Sequence, residues 1–315
     1  MSIRYLAAGL LMSVAIAATA QPKTLKIIVP YPPGGSPDNL ARTISDKLQS
    51  SGAYNVVVEN RPGGGGAVAV AALKNSLADG STVLLTDSST YSILPVVNKN
   101  PPFDPVKDLR PIGLAATSPI FLVAKPETAG TVQELIAKLK SGPKQAYGSS
   151  GIGTAHHLAM ELFKTMSGTD MTHVPYKGSS QTVPSVVAGD VIATFAGQTQ
   201  ANTFAQNGRV KILAIAEPKR SALAPEVPTM DEAGLKGFNI TITLGFLGLA
   251  AMPEPAVREI NAALVKVLAD KDVQSRLVRL GVEGRSSSPE EFGKLMAGEL
   301  KSFGAIAKQA AIQVD

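Results

Sequence analysis

Cysteine is absent from all 315 residues, and that one absence excludes a disulfide framework, thiolate metal sites and a lipid anchor on a processed N-terminus. Aromatic residues make up only 5% of the chain. With no cluster of Lys and Arg resembling a basic arm, a nucleic-acid partner is not expected. Long apolar runs are missing as well. Outside the N-terminus no stretch reaches the roughly 18 apolar residues of a membrane span. What remains is a chain long enough to bury one or two good cores without covalent staples.

The first 20 residues carry Arg4 as their only charge, then an apolar run over residues 5–16, then small residues ending in Ala18-Thr19-Ala20. This is the pattern of a secretory signal peptide with an A-x-A cleavage site, so a mature chain beginning near Gln21 and exported to the periplasm is expected. The net charge of +5 falls to +4 without that segment. It is spread along the chain, which suits anionic small molecules only weakly.

Ile28-Val29-Pro30-Tyr31-Pro32-Pro33-Gly34-Gly35-Ser36-Pro37-Asp38 organises the rest. Lys26 to Val29 read as a buried strand that prolines stop. Ser36 reads as an N-cap, Pro37 as the first helical residue, and Asp38 complements the helix dipole. Leu40, Ile44 and Leu48 supply one apolar stripe. Gly34 and Gly35 allow positive φ and close backbone approach, and a helix N-terminus attracts anions. The stretch reads either as an anion seat or as an ordinary strand-to-helix turn.

Along the chain, strands are expected over residues 55–59 and 82–86, separated by the glycine-rich segment 63–66 and a helix to about Leu73. This βαβαβ pattern implies a parallel sheet covered by helices. The third strand ends in the polar loop Thr86-Asp87-Ser88-Ser89-Thr90. After a proline-rich connector over residues 100–111 come strands over 111–116 and 120–124. Thr131-Val132-Gln133-Glu134 reads as a capping box. A second strand, glycine/serine loop and helix follows in Ala146-Tyr147-Gly148-Ser149-Ser150-Gly151-Ile152-Gly153-Thr154. It repeats the parts of the first seat, with Ser149 and Ser150 as hydrogen-bond donors. Further strands end near Tyr176 and at Ala196-Gly197-Gln198, and another spans 211–216. Residues 240–250 read as a return crossing, and two C-terminal helices close the chain. Two α/β units with polar loops at strand carboxyl ends imply a ligand site in the crevice between them.

Taken in order, these motifs resemble the Bug (TctC-like) family, the extracytoplasmic substrate-binding receptors of tripartite tricarboxylate transporters. The resemblance rests on the opening stretch, Val58-Glu59-Asn60-Arg61-Pro62-Gly63, Phe103-Asp104-Pro105-Val106-Lys107-Asp108-Leu109, Ser150-Gly151 with Thr154 and His157-Leu158, His173-Val174-Pro175-Tyr176-Lys177-Gly178, and Ala222-Leu223-Ala224-Pro225-Glu226-Val227-Pro228-Thr229 with Glu232-Ala233-Gly234. It covers nearly all of the chain after the signal segment. It implies an α/β, two-domain periplasmic-binding-protein fold of the Venus flytrap, type II kind, each domain a mostly parallel sheet flanked by helices. The expected division is residues 1–20 as signal peptide, 21–118 with 243–315 as domain 1, and 119–242 as domain 2. It further implies a small organic carboxylate as ligand, no enzymatic activity, no cofactor or metal, a monomer, and delivery to TctA/TctB-like membrane subunits. The alternative client is a membrane signalling protein.

By position, the resemblance assigns the proximal carboxylate to Gly34, Gly35 and Ser36, with Tyr31 as wall and Ser88 and Ser89 beside it. Ser150 and Thr154 donate from the second domain. Asp38, Ser149, Tyr176, Ala196 and Gln198 complete the candidate ligand-binding set. Many relatives carry an acidic or amide pair where this chain has Ala196-Gly197. That departure disfavours a ligand with an ammonium group in the cleft and favours an apolar, aromatic or carboxylate far end.

Other readings are weaker. Gly64 to Ala69 match the dinucleotide pattern G-x-G-x-x-A, with Asp87 downstream, but the exported context favours a structural turn. His157 and Glu161 share a helical face, yet His156 points elsewhere and no motif completes a coordination sphere. Ser150 lacks the G-x-S-x-G spacing of a hydrolase. Arg61 braces its turn more readily than it pairs with a ligand.

Overall fold

The computed structural model describes residues 22–314, all but Ser179 with their side chains. The expected signal peptide lies outside the described residues. One six-stranded and one five-stranded sheet divide the chain. The first contains β1 (Lys23–Val29), β2 (Tyr54–Asn60), β3 (Thr82–Asp87), β4 (Leu109–Ser118), β10 (Ile242–Leu249) and β11 (Glu283–Gly284), in the order β11-β4-β10-β3-β1-β2. The second contains β5 (Ile120–Ala124), β6 (Gln145–Ser149), β7 (Met171–Pro175), β8 (Ala193–Gly197) and β9 (Lys211–Ile215), in the order β7-β6-β8-β5-β9.

Both sheets are mixed: three of the five pairings in the first and two of the four in the second are antiparallel. β1 pairs parallel with β2 and β3, and β6 with β7 and β8, as the βαβ patterns require. The antiparallel parts are made by the strands that carry the chain between the sheets. β4 ends at Ser118 and β5 begins at Ile120, so a single proline links the lobes. On its return the chain enters β10, antiparallel to both β3 and β4, with Ile242 opposite Ser118. The two crossings are therefore neighbouring strands.

Alternation along the strands feeds a core on each face of each sheet. Ile27 and Val29 point to the side covered by α1 (Ser36–Ser50), α8 (Glu254–Leu268) and α9 (Lys271–Arg279), whereas Ile28 points to the side of α2 (Ala67–Lys74). In the second sheet Ile120, Leu122 and Ala124 face α4 (Val132–Ser141) and α5 (Ala155–Ser167), while Phe121 and Val123 face α6 (Thr182–Ala188) and α7 (Gln198–Gln206). Leu40 and Ile44 of α1 are fully buried, each contributing about 1.5–3 kcal/mol of transfer free energy.

Several boundaries differ from those read in the sequence. Gly35, in an extended conformation, is the N-cap of α1, and Ser36 is already helical. Thr131 caps α4 by accepting the Glu134 N–H, but the Glu134 carboxylate reaches the N–H of Gly130 rather than closing a capping box. A full capping box is formed instead by Ser288 and Glu291 at the start of α10 (Pro289–Gln309). Three helices, not two, follow β10, because the short, charged α9 separates α8 from α10. A π-helical turn over Ser89–Ile93 leads into α3 (Leu94–Val97) where a loop is expected. The 21 residues of α10 span both lobes. Phe292 and Met296 pack on the first sheet, and Phe303 and Ala307 join the core of the second.

Candidate ligand-binding cleft

Three helix N-termini meet where the lobes adjoin: α1 after β1, α5 after β6 and α7 after β8. Ser36, His156, Gly197, Gln198, Thr199 and Gln200 line one cavity of about 180 Å³ there, whose back wall includes Ser118, Ile120 and Ile242 of the crossing strands. The first turn of a helix leaves N–H groups without intrahelical partners and carries partial positive charge. Among the lining residues only His156 is ionisable. Burial holds its pKa down to about 4, so its imidazole is neutral at pH 7. The wall thus offers dipoles and neutral polar groups rather than a formal cation.

The first seat is a braced loop. Gly34 sits at φ +89°, a conformation that favours glycine, and its N–H donates to Asp38 Oδ2 at 2.9 Å. Asp38 is 1% exposed. It also accepts from Arg42 Nε at 2.9 Å and from Asn60 Nδ2 at 2.9 Å, and Asn60 donates in turn to the Tyr31 carbonyl at 3.0 Å. Burial opposes ionisation of Asp38, but the hydrogen bonds from Arg42, Gly34 and Asn60 and the Arg42 charge outweigh it and hold the pKa below the ordinary value. Asp38 is thus a buried brace, not a side chain offered to a ligand, and the Gly34 N–H is spent on it. The Tyr31 hydroxyl lies close to Asp87, whose Oδ1 takes the Ser89 N–H at 2.9 Å. This places the loop beside the end of β3. Burial, with Asp87 beside it, pushes the Tyr31 pKa well up, and burial also raises that of Asp87.

The second seat is held from below by stacked rings. Tyr147 lies 4.9 Å from His173, and His173 lies 3.9 Å from His157, centroid to centroid and nearly parallel. Ser149 is fully buried and its Oγ bonds His173 Nε2 at 2.6 Å. Ser150 Oγ bonds His156 Nδ1 at 2.8 Å and Thr154 Oγ1 at 3.2 Å. Thr154 caps α5 by accepting the His157 N–H. The two adjacent histidines do face different ways, His156 to the cavity and His157 into the stack.

Of the candidate residues, Ser36 and Gln198 line the cavity, and Gly35, Ser150 and Thr154 flank it along the chain. Ser88 is fully buried beneath the π-turn, near the Thr243 N–H at 3.4 Å. Tyr176 donates its N–H to the Ser149 carbonyl at 2.9 Å and packs toward the α6–α7 side of the second sheet. Ala196 is fully buried opposite Phe121. Its side chain belongs to the core, and Gly197 meets the cavity in its place, because β8 turns into α7 one residue later. Thr199, Gln200, Leu280 and Gly281 line the cavity without having been singled out, and so does His156, weighed in the sequence only as a metal ligand. Gln198 Oε1 and Gln200 Oε1 are buried acceptors without a hydrogen-bond partner. Gln198 Nε2 is held by the Leu223 carbonyl at 2.8 Å.

Residues 40–312 match the family model described as the tripartite tricarboxylate transporter family receptor. This chain belongs to that family. A relative from Pseudomonas sp. (strain P51), the UPF0065 protein in the tcbD-tcbE intergenic region, is 33% identical over 279 residues, covering 88% of this chain and 83% of the relative. Among solved structures, Rpa4515 of R. palustris with adipate is 28% identical with a TM-score of 0.80, covering 92% of this chain and 98% of that one. MatC (Rpa3494) of Rhodopseudomonas palustris with bound malate is 26% identical with a TM-score of 0.75, covering 90% and 98%. The receptor family is one of substrate-binding proteins rather than enzymes, and the two-lobed α/β architecture is the periplasmic-binding-protein type. No helix among the described residues is long and apolar enough to cross a membrane.

Proposed function

We propose that this receptor captures a small organic carboxylate, a di- or tricarboxylate or an aromatic acid, in the cleft between its lobes and delivers it to a tripartite tricarboxylate-type transporter from the periplasm. The observation that carries the reading is the single cavity shared by Ser36 of the first lobe and His156, Gly197 and Gln198 of the second, at the point where the crossing strands join them. Helix N-termini with neutral donors suit a carboxylate without a salt bridge. Adipate and malate in structures of relatives support the same ligand class.

The proximal carboxylate falls to Gly35 and Ser36, with Ser150 and Thr154 donating from α5 and Gln198 to Gln200 meeting the far end. The lobes are residues 21–118 with 243–315, and 119–242. They close as rigid bodies about the paired crossings, an equilibrium that a ligand touching both lobes shifts toward the closed state. A thermal-shift panel of mono-, di-, tri- and aromatic carboxylates tests the reading. A carboxylate at about 100 times its dissociation constant adds about 2.7 kcal/mol, a rise of about 4–5 °C for a chain of this length. If a neutral sugar raises the melting temperature and no carboxylate does, the reading is wrong.

A further inference from the structure

A second cavity, of about 310 Å³, lies behind the crossing strands. In an extended strand alternate side chains face opposite ways. Ser118 and Ile242 line the cleft, whereas Thr117, Thr241 and Thr243 line this rear cavity, so the two spaces share the crossing strands as a wall. Its other sides come from Glu217 and Lys219 after β9, Arg285 after β11, and Glu299 on α10.

Two buried polar atoms of residues lining this cavity have no hydrogen-bond partner: Glu217 Oε1 and, on the crossing strands, Thr117 Oγ1. Glu217 is 6% exposed and Thr117 is 7% exposed. The other charged groups are placed differently. Glu299 accepts from Ser92 Oγ at 2.9 Å and Thr243 Oγ1 at 2.6 Å. Arg285 pairs with Glu283 at 2.7 Å, and Lys219 is exposed at the rim. A buried carboxylate oxygen without a donor is costly, and a positively charged donor relieves it most fully.

We infer that the rear cavity is a second binding site, for a small organic cation bearing a primary ammonium group. An ammonium brings three donors and no acceptor, matching an acceptor-only oxygen and a hydroxyl that line the same cavity. The volume suits a small molecule better than a bare ion. Among the described residues no group of three or more His, Cys, Asp or Glu could hold a metal. Burial, joined by the nearby Glu283 carboxylate and partly offset by Arg285 and Thr241, pushes the Glu217 pKa up to about 7, so an arriving cation meets a carboxyl group whose ionised form it favours.

The test is calorimetric titration of the protein at pH 8 with ethylammonium chloride, against sodium chloride and tetramethylammonium chloride at equal ionic strength. Saturable binding of ethylammonium alone is expected. Glu217→Gln weakens it at least tenfold, and Thr117→Val weakens it several-fold, while neither changes the thermal response to carboxylates, which bind on the other face of the strands. Thr117→Val decides the matter should Glu217→Gln not fold. No saturable ethylammonium heat, equal heats from the sodium salt, or undiminished binding in the variants overturns the inference. Because the carboxylate response is read separately, its absence would count against the cleft reading alone.

Discussion

Replacing Asp38 with Ala removes the buried carboxylate that ties Gly34 of the first loop to Arg42 and Asn60. The side chain is 1% exposed and accepts three hydrogen bonds, from Gly34 N–H, Arg42 and Asn60. The Arg42 contribution is small, because its side chain is 49% exposed and an ion pair open to solvent is worth less than about 1 kcal/mol. The Gly34 and Asn60 bonds go to a buried charge, where each is worth about 1.5–3 kcal/mol. They share one acceptor group and do not add in full, so the loss comes to about 3 kcal/mol. For a protein of this size that lowers the melting temperature by about 5 °C. The wild-type advantage has a defined pH range. The Asp38 pKa is depressed in the folded state, burial being outweighed by the Arg42, Gly34 and Asn60 hydrogen bonds. The stabilisation is therefore complete above the ordinary carboxylate value near 4 and is lost as pH falls through the folded value. Thermal melts of wild type and Asp38→Ala at pH 7 and pH 3 read both effects. Melting within 1 °C of wild type at pH 7 would refute the assignment of Asp38 as the brace.

Three further outcomes follow from the packing and the buried charges. A methyl group on Gly245 would lie 2.2 Å from Phe292 Cζ in a fully buried contact, so Gly245→Ala should cost at least about 3 kcal/mol. Adding Phe292→Leu should recover part of it in urea unfolding. Burial pushes the Glu299 pKa up to about 7, so the folded state holds a proton the unfolded chain releases near 4.5, and stability declines between those values as pH rises. The stability of Glu299→Gln relative to wild type should thus rise by about 2–3 kcal/mol from pH 4.5 to pH 7.5; a pH-independent difference speaks against it. Burial, with His173 and Lys164 nearby, brings the His157 pKa down to about 3. Its neutral form is retained on folding, so stability is full above about 6.5 and falls by about 1.4 kcal/mol per pH unit below it. His157→Phe, which keeps a ring in the stack, should lose about 2 kcal/mol less than wild type between pH 7 and pH 5 by urea unfolding.

The sequence was most informative where local chemistry repeats. The strand, glycine turn and helix at 28–38 and again at 146–154 marked two of the three helix N-termini at the cleft, and the apolar run at 240–250 marked the return crossing. The third N-terminus was harder to see. α7 is built from Gln198-Thr199-Gln200-Ala201-Asn202-Thr203-Phe204 with no side-chain cap and only a thin apolar stripe. α9 did carry a signal, the Asp270 cap followed by Val273 and Leu277 four apart, yet its nine residues are mostly charged or polar. Asp38 shows a different limit. Its neighbours in sequence suggested a helix-dipole role, but Asn60, 22 residues away, helps turn it into a buried brace. Ala196 sits one residue from a cavity-lining glycine, and only the register of β8 against β5 decides that its methyl group faces the core. The unpartnered Glu217 and Thr117 come together only because the two crossings lie side by side.

The central claim is that the first loop, with the loops opposite, holds a carboxylate. Calorimetric titration of wild type and Gly35→Leu with the carboxylate that gives the largest thermal shift tests it most directly. A Cβ at Gly35 meets nothing nearer than 3.8 Å and its φ of −73° suits any residue, so the variant should melt within about 2 °C of wild type. It should nevertheless bind at least a hundredfold more weakly, as the leucine side chain covers the approach to the start of α1. Undiminished affinity in a folded Gly35→Leu would contradict the account.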